Sequence, residues 1–129
     1  KKYNDHYGHL AGDDCLRAVA TCLKETVQQV NDDKTTQGAF VARYGGEEFS
    51  VVIPHAVCGT HAGLAYHIVE AVAALRLPHE KNADWGVVTI SIGGVCADPA
   101  SGSVGALFQK ADALLYKAKD AGRNRAELD

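Results

Sequence analysis

Leu16, Val19, Ala20, Leu23, Val27 and Val30 recur at offsets of 3, 4, 7, 11 and 14 from the first of them, which is one stripe of a helix. The spacing predicts a long amphipathic helix that begins near Ala11. The polar run from Asn31 to Gly38 ends it. Two apolar runs, Phe40 to Tyr44 and Phe49 to Ile53, then flank Gly45-Gly46-Glu47-Glu48, predicting a β-hairpin with an acidic tip. Pro54 closes the second strand, and Leu64, Ile68, Val72 and Leu75 repeat at helical spacing until Leu77-Pro78 stops them. After a polar turn over residues 82–86, the β-branched run Val87 to Cys96 predicts a strand interrupted at Gly93-Gly94. Leu107, Ala111, Leu114, Leu115 and Ala118 form a third helical stripe ending at Gly122, and a short basic tail follows.

Strands and helices in this order predict an α/β sandwich (α+β), in which amphipathic helices cover both faces of a mostly antiparallel central sheet. The 129 residues suit one domain, and neither a repeat nor a linker divides residues 1–129. Methionine is absent throughout, the first position included, so the chain reads as an excerpt of a longer protein. A content of 47% hydrophobic and 22% charged residues excludes a disordered chain. The longest wholly apolar stretches, such as Ala71 to Leu75, fall far short of the roughly 20 residues that cross a bilayer. A net charge of −3 argues against a general nucleic-acid binder, whose surface is basic. Cys15, Cys22, Cys58 and Cys96 form no C-x-x-C pair and read as buried thiols of a cytoplasmic protein. The six histidines lack the spacing of a zinc site.

Three stretches carry candidate chemistry. At Gly45-Gly46-Glu47-Glu48, two glycines let backbone approach a ligand, and two carboxylates suit Mg²⁺, which takes a few oxygens alongside substrate phosphates; the alternative is a solvated turn. Asn4, Asp5, His9 and Asp13 crowd the approach to the first helix, where an amide and a carboxylate can read the edge of a guanine; the alternative is a helix-start device at Gly12-Asp13. Lys117, Lys119, Arg123 and Arg125 gather around Gly122, and Lys119 and Arg123, four apart, suit one phosphate. The alternative there is a set of cations complementing the helix dipole.

Acids for a metal, polar groups for a base and cations for phosphate are together the parts of a nucleotide site. In that combination the chain resembles the GGDEF family of diguanylate cyclases. Arg43-Tyr44-Gly45-Gly46-Glu47-Glu48-Phe49 matches the family's signature loop in its GGEEF variant. Lys1 to Asp13 is similar to its F-K-x-x-N-D-x-x-G-H-x-x-G-D segment, and Ala111 to Arg125 to its closing helix. The resemblance spans essentially the whole chain and implies a palm-like, nucleotidyl-cyclase fold. It also implies a GTP site in which Asn4 and Asp13 read guanine with His9 nearby. Glu47 would be the catalytic residue, holding Mg²⁺, with Mn²⁺ as a substitute metal, and helping to activate the 3′-hydroxyl, and Glu48 would be an accessory acid. Gly45 and Gly46 would lie against the phosphates, which Lys119, Arg123 and Lys1 would contact. Two such domains meet as a homodimer in the family, each holding one GTP, and an upstream sensor domain controls them. The implied product is cyclic di-GMP, and the implied location is cytoplasmic, with upstream segments able to anchor the protein to a membrane.

Two departures stand out. The family's other metal ligand is an aspartate of a D-x-D-x-F-K segment, and this chain begins at the Lys of that segment, so the aspartate and its N-terminal strand are missing. The R-x-x-D motif that many members use for product inhibition ends six residues before the first signature glycine, where this chain reads Thr36-Gln37-Gly38-Ala39. The expectation is an active cyclase without that inhibitory site; the alternative is a non-catalytic nucleotide-binding or dimerisation module.

Overall fold

The computed structural model describes residues 7–34, 36–54, 59–79, 85–97 and 103–129. Helix α1 runs His9–Asp32, strands β1 Phe40–Gly45 and β2 Glu48–Val52 follow, then α2 Thr60–Ala74, β3 Ser91–Gly94, α3 Val104–Asp120 and β4 Arg125–Leu128. The expected helices and hairpin are present; α1 begins nearly two turns before Leu16, the first residue of its stripe, and the other helix ends fall within about one turn of theirs.

The α1 stripe buries Val19, Leu23 and Val27 against Leu64, Ile68 and Val72 of α2, with Val72 fully enclosed. Thr26 sits inside this stripe because its hydroxyl donates to the Cys22 carbonyl at 2.7 Å, which satisfies a polar group that burial would otherwise penalise. Helix α2 is apolar on two sides for a reason. Its Ala65 and Val69 form a second cluster with Ala126 of β4, flanked by Ile90, Ile92 and Leu128. It therefore stands between α1 on one side and the β3–β4 pair on the other.

The hairpin strands pair antiparallel, from Phe40 opposite Val52 to Gly45 opposite Glu48. The basic tail is corrected: Arg125–Leu128 is a strand, paired parallel with β3 from Ser91 opposite Arg125 to Gly94 opposite Leu128. Four residues with two charges give no strand signal alone; they pair because α3 returns the chain beside β3, closing a β-α-β unit. Among the described residues the strands thus form two separate two-stranded sheets, one antiparallel and one parallel. The strand expected over Val87 to Cys96 shrinks to Ser91–Gly94, and Val87 instead forms an isolated bridge with Pro78.

Gly93 and Gly94 lie within β3 rather than interrupting it. A Cβ on Gly93 would fall 2.2 Å from the Ala111 carbonyl oxygen and 2.4 Å from the Leu115 nitrogen, so this glycine is what lets α3 settle onto the strand. Helix α3 begins at an N-cap, Ser103, whose hydroxyl accepts the Ala106 N–H at 3.1 Å.

The cysteine reading also needs correction. Cys15 and Cys22 are free thiols, half-buried on α1, and burial pushes both up from the ordinary thiol range. Cys96 is disulfide-bonded. Sequence spacing could exclude local pairs but not a bond formed by the tertiary fold. Cys58 lies outside the described residues.

Candidate functional site

The acidic tip is built by a local irregularity. Arg43 faces Phe49 and Gly45 faces Glu48, so one extra residue, Tyr44, is accommodated on β1 and the hairpin register shifts. Gly46 then takes φ of 52°, a left-handed conformation that favours glycine. The Arg43 guanidinium folds over the turn: its Nε donates to the Gly46 carbonyl at 2.8 Å, and Nη2 donates to the same oxygen. A planar fork on one carbonyl fixes the peptide that precedes Glu47. Glu47 and Glu48 are both exposed at the tip.

Asp13 is exposed on the second turn of α1, one residue after the buried Gly12, whose N–H donates to the Gly8 carbonyl at 3.0 Å. The helix start carries no side-chain cap, so Asp13 does not serve as the capping residue considered from sequence. His9 is the first residue of the helix. Lys1 and Asn4 lie outside the described residues.

The cations sit at the other end of the chain. Lys117 and Lys119 occupy the last turn of α3, and Arg123 follows in a turn of left-handed backbone, exposed like Lys119. The Trp85 indole N–H donates to the Gly122 carbonyl at 3.4 Å.

Helix α1, bearing Asp13, packs on β1 of the hairpin that bears Glu47. Helix α3 packs on β3 and β4 and, among the described elements, does not touch the hairpin; α2 links the two halves. Acids and cations are thus held on separate elements of one packed body. A groove between α1 and the end of α2, lined by Arg17, Thr21, Cys22, Glu25, Thr26 and Leu75, holds none of the expected site residues.

Two residues escaped the sequence reading. Arg43 was visible only as part of the signature loop, and its position three residues before Gly46 is the signal that it closes the turn. Trp85 belongs to no motif; its one mark in the sequence is that the chain has a single tryptophan.

A family model described as "Diguanylate cyclase, GGDEF domain" matches residues 1–125. The chain is 35% identical over 128 residues to the diguanylate cyclase DgcP of Pseudomonas aeruginosa, covering 99% of this chain and 17% of that protein. It is 34% identical over 126 residues to the diguanylate cyclase VdcA of Vibrio cholerae, covering 97% of this chain and 34% of that protein. The chain therefore spans a third or less of the length of these curated relatives, to within a percentage point. Among solved structures, the GGDEF domain of DgcB from Caulobacter crescentus, in complex with c-di-GMP, superposes with a TM-score of 0.78 at 30% identity, over 98% of this chain and 69% of that one. The active GGEEF domain of a diguanylate cyclase from Vibrio cholerae gives 0.76 at 26% identity, over 97% and 72%. These matches bear out the palm-like α+β fold, and the chain belongs to the GGDEF domain family of diguanylate cyclases.

Proposed function

We propose that the intact protein condenses two GTP into cyclic di-GMP, and that residues 1–129 carry its nucleotide site. The observation that supports this reading best is the hairpin tip: an unaltered Gly45-Gly46-Glu47-Glu48 loop, closed by Arg43, with both carboxylates exposed. A non-catalytic relative has no need to keep that loop.

In the reaction, the 3′-oxygen of each GTP forms a bond to the α-phosphorus of the other. Each α-phosphorus gives up its bond to pyrophosphate, so two GTP yield one cyclic di-GMP and two pyrophosphates. Glu47 accepts the proton of the attacking hydroxyl, with Glu48 as an accessory acid. Lys119 and Arg123, with Lys1, hold the phosphates by charge and by the arginine's donor fork, while Gly45 and Gly46 allow the loop to lie close. Asn4 and Asp13 read guanine beside His9. Asp13 suits the task because a carboxylate accepts from both N1–H and the 2-amino group, donors that adenine lacks.

The carboxylates of the tip fit Mg²⁺ or Mn²⁺, hard cations that bind through one or two carboxylates and complete their shell with substrate phosphate and water. Among the described residues no group of three or more His, Cys, Asp or Glu side chains gathers as a metal cage. When bound, the metal supplies positive charge against the phosphates and the attacking oxygen. One domain binds one GTP, so ring closure takes a homodimer, and an upstream domain regulates the pairing. GTP as substrate argues for a cytoplasmic site.

Pyrophosphate release from GTP in the presence of Mg²⁺ tests the reading. The wild-type protein releases it, and Glu47→Ala, altered only at an exposed turn position, stays folded and does not. Equal release by a folded Glu47→Ala variant overturns the assignment.

A further inference from the structure

The turn after α3 runs through three consecutive residues with left-handed backbone, Gly122 at φ 124°, Arg123 at 63° and Asn124 at 50°. Glycine adopts such angles freely, but an arginine followed by an asparagine does so at a cost and persists there only when neighbours hold it. Several groups do. The Arg123 N–H donates to the Ala118 carbonyl at 3.0 Å, and the Gly122 N–H to Lys119 at 3.3 Å. Arg125 Nε donates to the Arg123 carbonyl at 3.0 Å, and its guanidinium packs so closely that a Cβ on Gly122 would lie 2.8 Å from Nη2. These are all local to the turn. Trp85 reaches it from 37 residues away, through the indole N–H bond to the Gly122 carbonyl.

That carbonyl belongs to the rigid peptide unit whose nitrogen is Arg123, so fixing its oxygen fixes the plane from which the Arg123 side chain departs. We propose that Trp85 is a positioning residue for the Gly122–Asn124 turn, setting the direction of Arg123 toward a nucleotide phosphate. The inference rests on the reading of Lys119 and Arg123 as phosphate cations. Indole nitrogen is a donor only, so a phenylalanine keeps the ring and loses the bond. Trp85 is 44% exposed, which leaves its loss of an N–H without a cavity in the core.

The test compares GTP with guanosine, which has the base but no phosphate, on the intact protein and its Trp85→Phe variant. GTP affinity is expected to fall about fivefold to tenfold, the scale of one hydrogen bond, with guanosine affinity and Tm unchanged. Weakening of both ligands alike marks a merely structural role and overturns the proposal, as does unaltered binding of both. A folded wild-type protein that binds no GTP overturns the nucleotide reading itself, before any variant is compared, and this inference with it. If Trp85→Phe fails to fold, the wild-type turn decides: Trp85 is the sole tryptophan of residues 1–129, and with any tryptophan elsewhere in the intact protein replaced by phenylalanine the emission comes from this turn. An emission change on adding GTP that guanosine does not produce supports the proposal; identical responses to the two overturn it.

Discussion

The carboxamide of Asn31 holds Ala39 as a neighbouring strand would. Its Nδ2 donates to the Ala39 carbonyl at 2.9 Å, and the Ala39 N–H donates back to Oδ1 at 3.1 Å. The Thr36 hydroxyl donates to the same Oδ1 at 2.6 Å. One side chain thereby ties the end of α1 to the entrance of β1 and holds Thr36 and Ala39 inward. Thr36 and Ala39 are each only 6% exposed.

Asn31→Ala should therefore destabilise the fold by about 2–4 kcal/mol, because both backbone groups of a buried residue lose their partner and Thr36 loses its acceptor. Asn31→Asp, which keeps the acceptor and loses the donor, should fall between the two. Urea unfolding measures this; a change in Asn31→Ala under about 0.5 kcal/mol would show that water replaces the carboxamide.

The same clasp bears on feedback. Thr36 and Ala39 occupy the ends of the segment where many members of the family carry R-x-x-D, and here both are packed inward with neither a guanidinium nor a carboxylate to offer. Adding cyclic di-GMP to a steady-state assay should give competitive inhibition at most. Potent noncompetitive inhibition removed by substitutions within residues 36–39 would contradict this.

Adjacent glycines of β3 should respond differently to alanine. At Gly93 the new methyl meets the backbone of α3, with the Ala111 oxygen at 2.2 Å, and backbone cannot swing aside. At Gly94 it meets the tip of Leu128, with Cδ2 at 2.4 Å, a flexible side chain that can turn away. Gly93→Ala should cost about 3 kcal/mol or more, or prevent folding, while Gly94→Ala should cost about 1–2 kcal/mol. Equal melting temperatures for the two variants would refute the close seating of α3.

The contrast at β3 also shows what can be read from the chain. The α1 stripe, the α2 stripe and the hairpin follow from period 3.6 and period 2 alone, because each buries one face of a regular element. Strand β4 did not, since Arg125-Ala126-Glu127-Leu128 is too short and too charged to signal itself and is defined by its partner. The acidic loop was legible as a turn, but the extra residue at Tyr44 and the grip of Arg43 on Gly46 depend on how the strands pair. Asp13, Glu47, Lys119 and Arg123 stand out as candidates because residue types with complementary chemistry recur in motif spacing. Trp85 acts through a single hydrogen bond across 37 residues, which no local pattern encodes.

At the end of β4, partial burial works to raise the Asp129 carboxyl. The Cys96 N–H at 3.1 Å, the Lys110 ammonium at 3.3 Å and the His61 ring at 3.5 Å outweigh it, leaving the group below its ordinary range. A carboxyl lowered on folding stabilises the protein above its unfolded value of about 3.9 and loses that contribution as pH falls through the lower folded value. Asp129→Asn should thus be less stable than wild type at pH 7, with the gap closing below about pH 4. Urea midpoints across that range test it, and a gap that persists unchanged into acid would assign the stabilisation to something other than the charge.

The central claim is the identity of the product. Incubating the intact protein with GTP and Mg²⁺ and resolving the products by mass spectrometry should show cyclic di-GMP, formed in a ratio of one to two pyrophosphates and absent with Glu47→Ala. Linear products, products drawn from ATP in an equal mixture, or GTP left intact by the folded wild-type protein would contradict the account.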